Sequence, residues 1–543
     1  MCEKTNLGVG ESLTGFCFAD MDRFPKFNMV ISAPPQLTMW HNDLDGDHKR
    51  TLNKFVGALT ELINMDGWPE LIEVLTGYWD NQRMVFRFGT AEITPTLEEI
   101  RDCIDTVGMG LERRARKQED VFIPNKPSVE NISDWLGLRK DFTYWCQDSH
   151  IMFRDLYVRF GHASFYAAYN REFRISYREW NELRPLAFAI ALLGTMVFPH
   201  GPSLSINTRV ITLVQTLFKG YENQGTTKYY SVAPVILSDI YRALGKCKEG
   251  HRYFQGCNLL LQWWILSHLA KGAGTRELHT LDNKNTLKDL NDLLFWANMN
   301  NWRTRGRWAQ IFSELREEDL QWMLDRFISK EVVVEGRRCV VLPLPGIRGI
   351  RPYAPFRVLR QFGRKQTVPR EAYYGAYVYD IGDDRVDDAT EMLREWKNAK
   401  RMGKDSIATD RFNAGYDEGY KAWLKRDIQN ISFQIPRSFR SVTDKEAKAV
   451  AELRELKEEA NEVYAKFVEN QDALERATRE IERLKQGYEE FDNWIQHKIE
   501  RMRYESLEDK GRLGEGFLLM LRYMFQQHKN HKNDDGAGPS GAA

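Results

Sequence analysis

Two segments of the chain are apolar on every side, and they restrict the fold more than any other feature. Residues 177–198 are apolar almost all round in their second half, and residues 254–269 contain the run LLLQWWILSHL. A helix without a polar face has to be covered on all sides by other parts of the protein. The longest apolar run, residues 186–198, is shorter than the ~20 residues that cross a bilayer. The two segments therefore predict a large helical domain packed around them and no contact with a membrane.

Most of the remaining elements are also predicted to be helices, from apolar residues at helical spacing. These predicted helices are residues 54–65, 69–80, 97–104, 132–138, 151–160, 163–169, 207–218, 233–244, 287–297, 317–327, 389–400 and 410–427. A β-hairpin is predicted from residues 332–334 and 339–342. The expected fold class is mainly α: a large multi-helix globular domain with small β-hairpins, followed by a long coiled-coil helix.

Another β-hairpin is predicted to lead directly into a helix. Residues 85–88 are rich in β-forming side chains, residues 89–91 (Gly-Thr-Ala) can turn the chain, and residues 92–94 can return as a second strand. Thr96 and Glu99 have the spacing of a capping box, in which each side chain bonds the backbone amide of the other residue. This unit is expected to fold from local interactions.

A strip of positive charge, residues 337–370, is a candidate nucleic-acid interface. It holds nine basic residues and no acidic one, with aromatic residues between them. Such a composition suits contact with phosphates and stacking on bases. The candidate contact residues are Arg351, Arg357, Arg360, Arg364 and Lys365. The alternative is that acidic residues directly after the strip neutralise it within the fold, and these are Asp380, Asp383, Asp384, Asp387, Asp388 and Glu391.

A heptad repeat predicts a coiled coil over residues 441–507. Its seam is formed by Leu453, Leu456, Ala460, Val463, Phe467, Asn470, Leu474, Ala477, Ile481, Leu484, Tyr488, Phe491 and Ile495. A seven-residue repeat of this length would drift out of register on a globular core, whereas two supercoiled helices keep it in contact. The partner stays open: a second copy of the chain, a different protein, or a short helix of residues 517–525 folded back on the seam.

Composition excludes several other classes of protein. The chain has 77 Lys and Arg residues and 77 Asp and Glu residues, so the whole molecule has no strong electrostatic field. A nucleic-acid contact therefore needs a local patch of positive charge. The seven cysteines form no CxxC pair, which argues against a disulfide framework and fits a reducing compartment. Cys247, His251 and Cys257, with His268 as a fourth ligand, suggest zinc, but buried core cysteines are the more frequent explanation. No metal and no cofactor are predicted.

Two stretches resemble the hallmark segments of the plant mobile domain, also called the aminotransferase-like domain, of plant transposable elements and host proteins derived from them. They are FRFGTAEITPTLEEI at residues 86–100 and YAPFRVLRQFGRKQTVP at residues 353–369. The order of the apolar helices between them is similar too. The resemblance covers about residues 30–380 and is closest to uncharacterised plant proteins that add a C-terminal coiled coil.

The resemblance implies a role in mobile elements or, as in some host relatives, in the nucleus, where they silence transposons with a phosphatase-like partner. The cytoplasm is the alternative location. The aminotransferase label implies no chemistry here, because the chain has no lysine in a recognisable pyridoxal-phosphate setting and no phosphate-binding glycine loop. We expect five regions: 1–30 poorly defined, 31–380 the helical domain, 381–440 a helical linker, 441–507 the coiled coil, and 508–543 a short helix and tail.

The favoured function is that of a non-enzymatic interaction protein. Its helical domain binds a partner, and its coiled coil forms a homo-oligomer or joins a second coiled-coil protein. The alternatives are nucleic-acid binding by the strip 337–370 and a degenerate enzyme. For the enzyme, the candidate polar groups are Glu92, Glu98, Glu99 and His251.

Overall fold

The chain, seen in a computed structural model, divides into two compact units, Met1–Ser441 and Val442–Ala543. The structure describes residues 24–27, 32–89, 91–105, 124, 126–137, 149–201, 203–222, 231–269, 304–324, 327, 329, 331–337, 340–370, 372, 374–380, 388–429, 477, 480–481, 483–498 and 514–523. The first unit is mainly helical with small antiparallel sheets, which confirms that part of the predicted fold class. Among the described residues, no helix is long and apolar enough to cross a membrane.

The helices and strands of the first unit are short and numerous. The α-helices are α1 (Pro35–Asp43), α2 (Gly46–Phe55), α3 (Pro69–Gly77), α4 (Leu97–Asp105), α5 (Val129–Trp135), α6 (Phe153–Phe160), α7 (Tyr166–Phe173), α8 (Tyr177–Leu192), α9 (Arg209–Glu222), α10 (Ala233–Lys248), α11 (Asn258–His268), α12 (Arg305–Glu314), α13 (Asp388–Lys397) and α14 (Tyr420–Gln429). The 3-10 helices are Gly57–Asn64, Ala163–Phe165, Glu317–Asp319, Pro355–Phe362, Tyr374–Tyr377 and Lys404–Ser406, and Leu193–Val197 is a π-helical turn. The strands are β1 (Trp79–Asp80), β2 (Val85–Phe88), β3 (Ala91–Ile93), β4 (His150–Met152), β5 (Ser205–Asn207), β6 (Val332–Glu335), β7 (Leu342–Pro345), β8 (Gly349–Tyr353), β9 (Tyr379–Asp380) and β10 (Lys400–Met402).

The two apolar segments are core helices, as predicted. In α8 every residue from Arg184 to the C-terminal end is buried, and α11 buries both Trp263 and Trp264. The π-helical turn that extends α8 brings Gly194 against Ile206 of β5, where a Cβ atom would collide with the isoleucine side chain. A glycine therefore allows this close approach of helix and strand.

The hairpin and its capping box form as predicted. Strands β2 and β3 pair antiparallel with Phe86 opposite Ile93, and Gly89 has a positive φ of 54° in the turn between them. The Glu99 amide donates to the Thr96 hydroxyl at 3.3 Å, and the Thr96 amide donates to the Glu99 carboxylate at 3.0 Å. Strand β1 adds a third member to this sheet, on the other side of β2.

The predicted hairpin of residues 332–334 and 339–342 is wrong. Strand β6 pairs with β10, and β7 pairs with β8 in a sheet of order β7-β8-β9. Between them, the Gly336 amide donates to the Val340 carbonyl at 3.2 Å. The first apolar run pairs with β10, which is distant in sequence, and the second pairs with β8, the next strand along the chain. The distant pairing is a choice that local turn residues do not determine.

The first unit extends beyond the boundaries 31 and 380 that were expected for the helical domain. The described residues 388–429, expected to be a linker, pack onto it: β10 pairs with β6, and Trp396 of α13 donates to the Pro343 carbonyl at 2.5 Å. At the other end Phe24 is buried and stacks on Tyr78. Apolar anchors at both ends therefore make these segments part of the core.

One of the predicted helices begins late. Residues 410–427 were expected to be one helix, but α14 starts at Tyr420. The Asp410 carboxylate instead accepts the backbone amides two and three residues further on, and Gly415 and Gly419 have positive φ angles of 75° and 90°. Side-chain bonding to nearby amides and left-handed glycines both interrupt a helix.

Two other predicted helices are also altered. Residues 54–65 are divided at Gly57, whose φ of 62° ends α2, and continue as a 3-10 helix. Of the described residues within 317–327, only Glu317–Asp319 forms a 3-10 helix. The Gln321 amide then donates to the carbonyl of His268 at 2.9 Å. Contact with α11 replaces a local helical bond there. The predicted helix 287–297 lies outside the described residues.

In the second unit, residues 483–498 and 514–523 are helical. Most of the predicted coiled coil, including every seam position before Ala477, lies outside the described residues. The part that is described keeps helical geometry through two heptads. The predicted coiled coil therefore stays a prediction over most of its length.

Candidate functional site

The two segments that carry the family resemblance, residues 86–100 and 353–369, lie against each other inside the first unit. The Gln361 side-chain nitrogen donates to the Thr94 carbonyl at 2.9 Å, and its oxygen accepts the Thr94 amide at 3.0 Å. The Tyr353 hydroxyl accepts the first backbone amide of α4 at 3.0 Å. These bonds join the hairpin β2–β3 to the 3-10 helix Pro355–Phe362, and the start of α4 to the end of β8.

Glu99 lies at the centre of a polar cluster that is closed to solvent. Its carboxylate accepts the Trp264 indole at 3.0 Å and the Gln361 amide at 2.9 and 3.1 Å. Nε2 of His268 lies 3.1 Å from the same carboxylate, and both side chains are 0% exposed. The Thr96 amide of the capping box donates to the same carboxylate, so Oε1 faces Gln361 and His268, and Oε2 faces Trp264, Gln361 and Thr96.

The geometry of His268 explains the charge state of Glu99. Nδ1 of His268 lies 2.7 Å from the Gln321 carbonyl, and Nε2 faces the carboxylate, so a charged imidazolium satisfies both neighbours. Burial acts to raise the pKa of Glu99, but the charge and hydrogen bond of His268, with the bond from Gln361, lower the pKa below its ordinary value. Glu99 and His268 therefore form a buried ion pair.

The pKa of the neighbouring residue Glu98 is shifted in the opposite direction. Burial raises the pKa of its carboxyl group, although Arg101 and the Val333 amide, which donates at 3.1 Å, favour the charged form. The Tyr353 hydroxyl lies 3.3 Å from the second oxygen. Glu98 and Glu99 thus occupy equally buried sites whose pKa values move apart.

A second cluster, here called the arginine–carboxylate cluster, lies on the other face of the hairpin. Its members are Asp80, Arg83, Arg87, Glu92, Arg357 and Asp427. Arg87 and Glu92 stand opposite each other in β2 and β3, with 2.6 Å between Nη2 and Oε1. Arg357 donates to both oxygens of Glu92 at 2.7 and 3.0 Å. Three arginines against three carboxylates leave the cluster formally neutral.

Asp427 connects this cluster to α14, the last described helix of the first unit. Its carboxylate pairs with Arg87, with Arg83 at 2.9 Å and with Arg357 at 3.3 Å. Burial acts to raise the pKa of Asp427, but the bonds from Arg87 and Arg83 lower it overall. Trp423 of the same helix lies beneath the Arg357 guanidinium, 5.1 Å from ring centroid to Cζ. The cluster therefore holds the end of the unit onto the hairpin.

The structure places most of the candidate nucleic-acid contacts in the interior. Arg351, Arg357, Arg360 and Arg364 are buried, and only Lys365 is exposed. Lys365 itself pairs with Asp417 at 2.7 Å. A phosphate in solution cannot reach these four buried arginines, and this argues against nucleic-acid contact through them.

The buried arginines of the strip have partners inside the protein. Arg351 pairs with Asp380 at 2.7 Å, and Arg360 pairs with Glu317 at 3.3 Å while lying 3.8 Å above the Trp322 ring. Arg364 donates to backbone carbonyls, among them that of residue 403 at 3.1 Å. Of the acids expected to neutralise the strip, Asp380 takes part; the side chains of Asp383, Asp384, Asp387, Asp388 and Glu391 lie outside what the structure describes. Carboxylates distant in sequence neutralise much of the strip.

The zinc interpretation does not hold among the described residues, where no three His, Cys, Asp or Glu side chains group as metal ligands. His268 is bound to Glu99 instead, and His251 is exposed. Burial raises the pKa of Cys247 and of Cys257 to about 12, so both stay neutral thiols. They are core residues.

A histidine pair predicts a loss of stability in mild acid. The rings of His200 and His150 lie 4.1 Å apart between centroids, and burial, with the charges of His150, Arg348 and Arg242, lowers the pKa of His200 to about 4. The unfolded chain then binds this proton near pH 6.5 and the folded chain only near pH 4, so stability falls as the pH falls between these values. When the pH is lowered from about 6.5 to about 4, we expect the denaturant midpoint of the variant His200→Gln to fall less than that of the parent chain. An equal fall in both proteins would contradict the role of His200.

In the second unit, several seam residues are open to solvent. Ile481 is 53% exposed, Tyr488 is 74% exposed, and Leu484 is exposed as well. Phe491 and Ile495 are half-buried. The seam residues Leu453, Leu456, Ala460, Val463, Phe467, Asn470 and Leu474 lie outside the described residues.

Part of the seam is covered by the short helix 514–523. The Phe517 ring stacks on Trp494 at 5.3 Å and on Phe491 at 6.5 Å between centroids. Of the three partners left open by the sequence, the short helix folded back is therefore present at this end.

Sequence reasoning missed several members of the two clusters. Arg87, Gln361 and Asp427 were not singled out, and His268 was considered only as a metal ligand. One signal was available: a polar residue inside an all-round apolar helix, such as Gln262 or His268 in α11, needs a buried partner. Gln262 accepts the amide of residue 68 at 2.8 Å and donates to the carbonyl of residue 66 at 3.0 Å.

The fold and its polar clusters define a mainly helical first unit in which buried arginines and carboxylates pair with one another. A family model described as "Domain of unknown function (DUF7745)" matches residues 37–429, more than half of the chain. The chain belongs to this family. The match ends at Gln429, the last residue of α14, in agreement with the observed packing of residues 388–429. Neither a curated protein nor a solved structure matches the chain significantly.

Proposed function

We propose that the protein is a non-enzymatic interaction protein of transposable-element origin that self-associates through its C-terminal helical unit. Its first unit is the part that binds a partner, and the nucleus is the proposed location. A relation between this DUF7745 chain and plant mobile domain proteins is part of the proposal. It is supported by the contact between residues 86–100 and 353–369, the two segments that carry the resemblance.

The observation that carries the proposal is the exposed seam. Ile481, Leu484 and Tyr488 follow one another at a and d positions of a regular helix, and each presents a large apolar side chain to water. Burying apolar surface stabilises association by roughly 25 cal/mol per Å². A heptad seam is complementary to another heptad seam, because each side chain fits between four residues of the facing helix. A second copy supplies such a seam.

The interior of the first unit supports a structural role for its ionisable groups. Glu92, Glu98 and Glu99, the acidic candidates for catalysis, are all buried and bonded to protein groups. A catalytic carboxylate needs access to a substrate. His251, the remaining candidate for catalysis, is exposed. It belongs neither to the cluster around Glu99 nor to the arginine–carboxylate cluster.

The proposal predicts that the full chain is an oligomer and that charges in the seam dissociate it. We expect light scattering after size exclusion to give at least twice the monomer mass for the parent chain and the monomer mass for Ile481→Asp with Leu484→Asp. The matched control is Gln486→Asp with Asn493→Asp, which adds two carboxylates at exposed positions of the opposite helix face. A monomeric parent chain, or dissociation of the control alone, would remove the proposal.

A further inference from the structure

The seam of the second unit changes from open to covered between Tyr488 and Phe491. Ile481 and Tyr488 are 53% and 74% exposed, and Leu484 between them is exposed as well. Phe491 and Ile495, the next d and a residues, are half-buried. The heptad pattern is the same on both sides of this boundary, so the long helix alone does not explain the change in exposure. The cover comes from another segment.

Among the described residues, the short helix 514–523 supplies that cover. Phe517 stacks on Phe491 with 6.5 Å between ring centroids and 20° between planes, and on Trp494 at 5.3 Å and 9°. Phe517 and Met520 are half-buried and lie three residues apart, on one face of the short helix. Stacked rings at such separations attract each other more than their buried area alone would give. A specific aromatic contact therefore holds the short helix on the seam.

This contact occupies a surface that a second coil helix also uses. With Ile481 and Tyr488 at a positions, Phe491 is a d residue and Trp494 is the g residue that follows it. In a two-stranded coil, the a and d side chains of each helix fit between four residues of the facing helix. Phe517 of the same chain lies against Phe491 instead. The short helix and a second copy of the long helix therefore exclude each other at this part of the seam.

We infer that the short helix 514–523 is an internal competitor that limits how much of the seam a second copy can use. The inference rests on the proposed self-association and adds its regulation. While the short helix is closed, a second copy pairs only with the open positions of the seam. When the short helix opens, Phe491 and Ile495 join the pairing. Closure lowers the apparent affinity, because only the open fraction of molecules offers the full seam.

The first test weakens the contact in the full chain. Phe517→Ala with Met520→Ala removes the covering side chains, and the dissociation constant of the dimer is expected to fall by roughly tenfold, the change that follows when the open fraction rises from about one tenth to nearly all molecules. Leu518→Ala, at a position that is 60% exposed, is the matched control and is expected to leave that constant unchanged. Sedimentation equilibrium measures the constants, and circular dichroism checks that the variants stay folded.

The outcomes separate this inference from the self-association on which it rests. An unchanged or higher dissociation constant in the double variant overturns the inference and leaves self-association standing. A monomeric parent chain with a dimeric double variant removes self-association of the parent chain and supports the inference. If both proteins are monomeric, both proposals fail.

Hydrogen exchange of residues 491–498 gives an independent measure. In the parent chain the short helix covers this part of the seam within one copy, whereas in the double variant a second copy takes over that role. Dilution through the dissociation constant is therefore expected to speed exchange of these amides severalfold more in the double variant than in the parent chain. An equal response of the two proteins to dilution would contradict the competition.

Discussion

Replacing Glu99 by glutamine is expected to lower the free energy of unfolding of the first unit by about 3–5 kcal/mol, the cost of breaking a buried ion pair from one side. The substitution leaves His268 without its carboxylate in a site that is closed to solvent. The new amide also turns N–H donors toward the Trp264 indole or the Gln361 amide, which are donors themselves. Such a buried donor without an acceptor adds its own penalty.

The adjacent residue supplies the matched control. Glu98→Gln changes the same side chain at an equally buried position, and we expect a cost of about 1 kcal/mol, because burial already favours the neutral carboxyl there. Denaturant unfolding followed by tryptophan fluorescence compares the two variants. Equal costs for Glu98→Gln and Glu99→Gln would contradict the assignment of the ion pair to Glu99.

The pH dependence of the Glu99 variant has a definite sign. Because the pKa of Glu99 is lowered on folding, the stability it contributes is present above the unfolded value of about 4.3 and is lost as the pH falls through the folded value. Glu99→Gln is therefore expected to lose less stability than the parent chain when the pH is lowered below that range. Unfolding midpoints at a series of acid pH values measure this difference.

Replacing Arg357 by glutamine is expected to cost about 3–5 kcal/mol as well, since it removes a buried partner of Glu92. Arg357 holds both oxygens of Glu92 and also contacts Asp427, so its loss leaves the arginine–carboxylate cluster with excess negative charge. Burial acts to lower the pKa of Arg357, and the Glu92 charge more than reverses this effect. Unfolding by denaturant measures the cost.

The control comes from the same basic strip. Arg370 is exposed and reaches Glu335 at 3.6 Å, so Arg370→Gln is expected to change the free energy of unfolding by less than about 0.5 kcal/mol. The comparison also separates structure from nucleic-acid contact. If phosphates bind the strip, Arg337, Lys365 and Arg370 are the exposed groups to alter among its described residues. Loss of binding in an unfolded Arg357 variant is uninformative. Equal stability of the two variants would contradict the structural role of Arg357.

Much of the local structure was predictable. The hairpin β2–β3 follows from β-forming residues on both sides of a glycine turn, and the capping box of Thr96 and Glu99 follows from spacing alone. Both depend on residues close together in the chain. The apolar helices α8 and α11 were predictable for a different reason, since a segment with no polar face has only the core available.

The clusters were only partly predictable. When residues 85–88 and 91–93 are aligned as an antiparallel hairpin, Arg87 lies opposite Glu92, so the pairing of these two residues follows from the strand register. Arg357 and Asp427 reach the same place from distant segments, and no local pattern selects Glu92 as the partner of an arginine far along the chain. The carboxylates that neutralise the basic strip are scattered through the sequence. The sequence alone therefore left the strip as a candidate nucleic-acid interface.

The amino-acid sequence by itself determined the helical class, the position of the core helices, the first hairpin with its cap, and the heptad pattern, because each depends on periodicity or on neighbours within a few residues. Only the tertiary structure decided that β6 pairs with β10, that residues 388–429 belong to the first unit, and that most of the candidate arginines are interior. The physical reason is that long-range pairing of strands and of buried charges depends on which distant segments come into contact when the core forms. The residues near each segment in the sequence do not determine that contact.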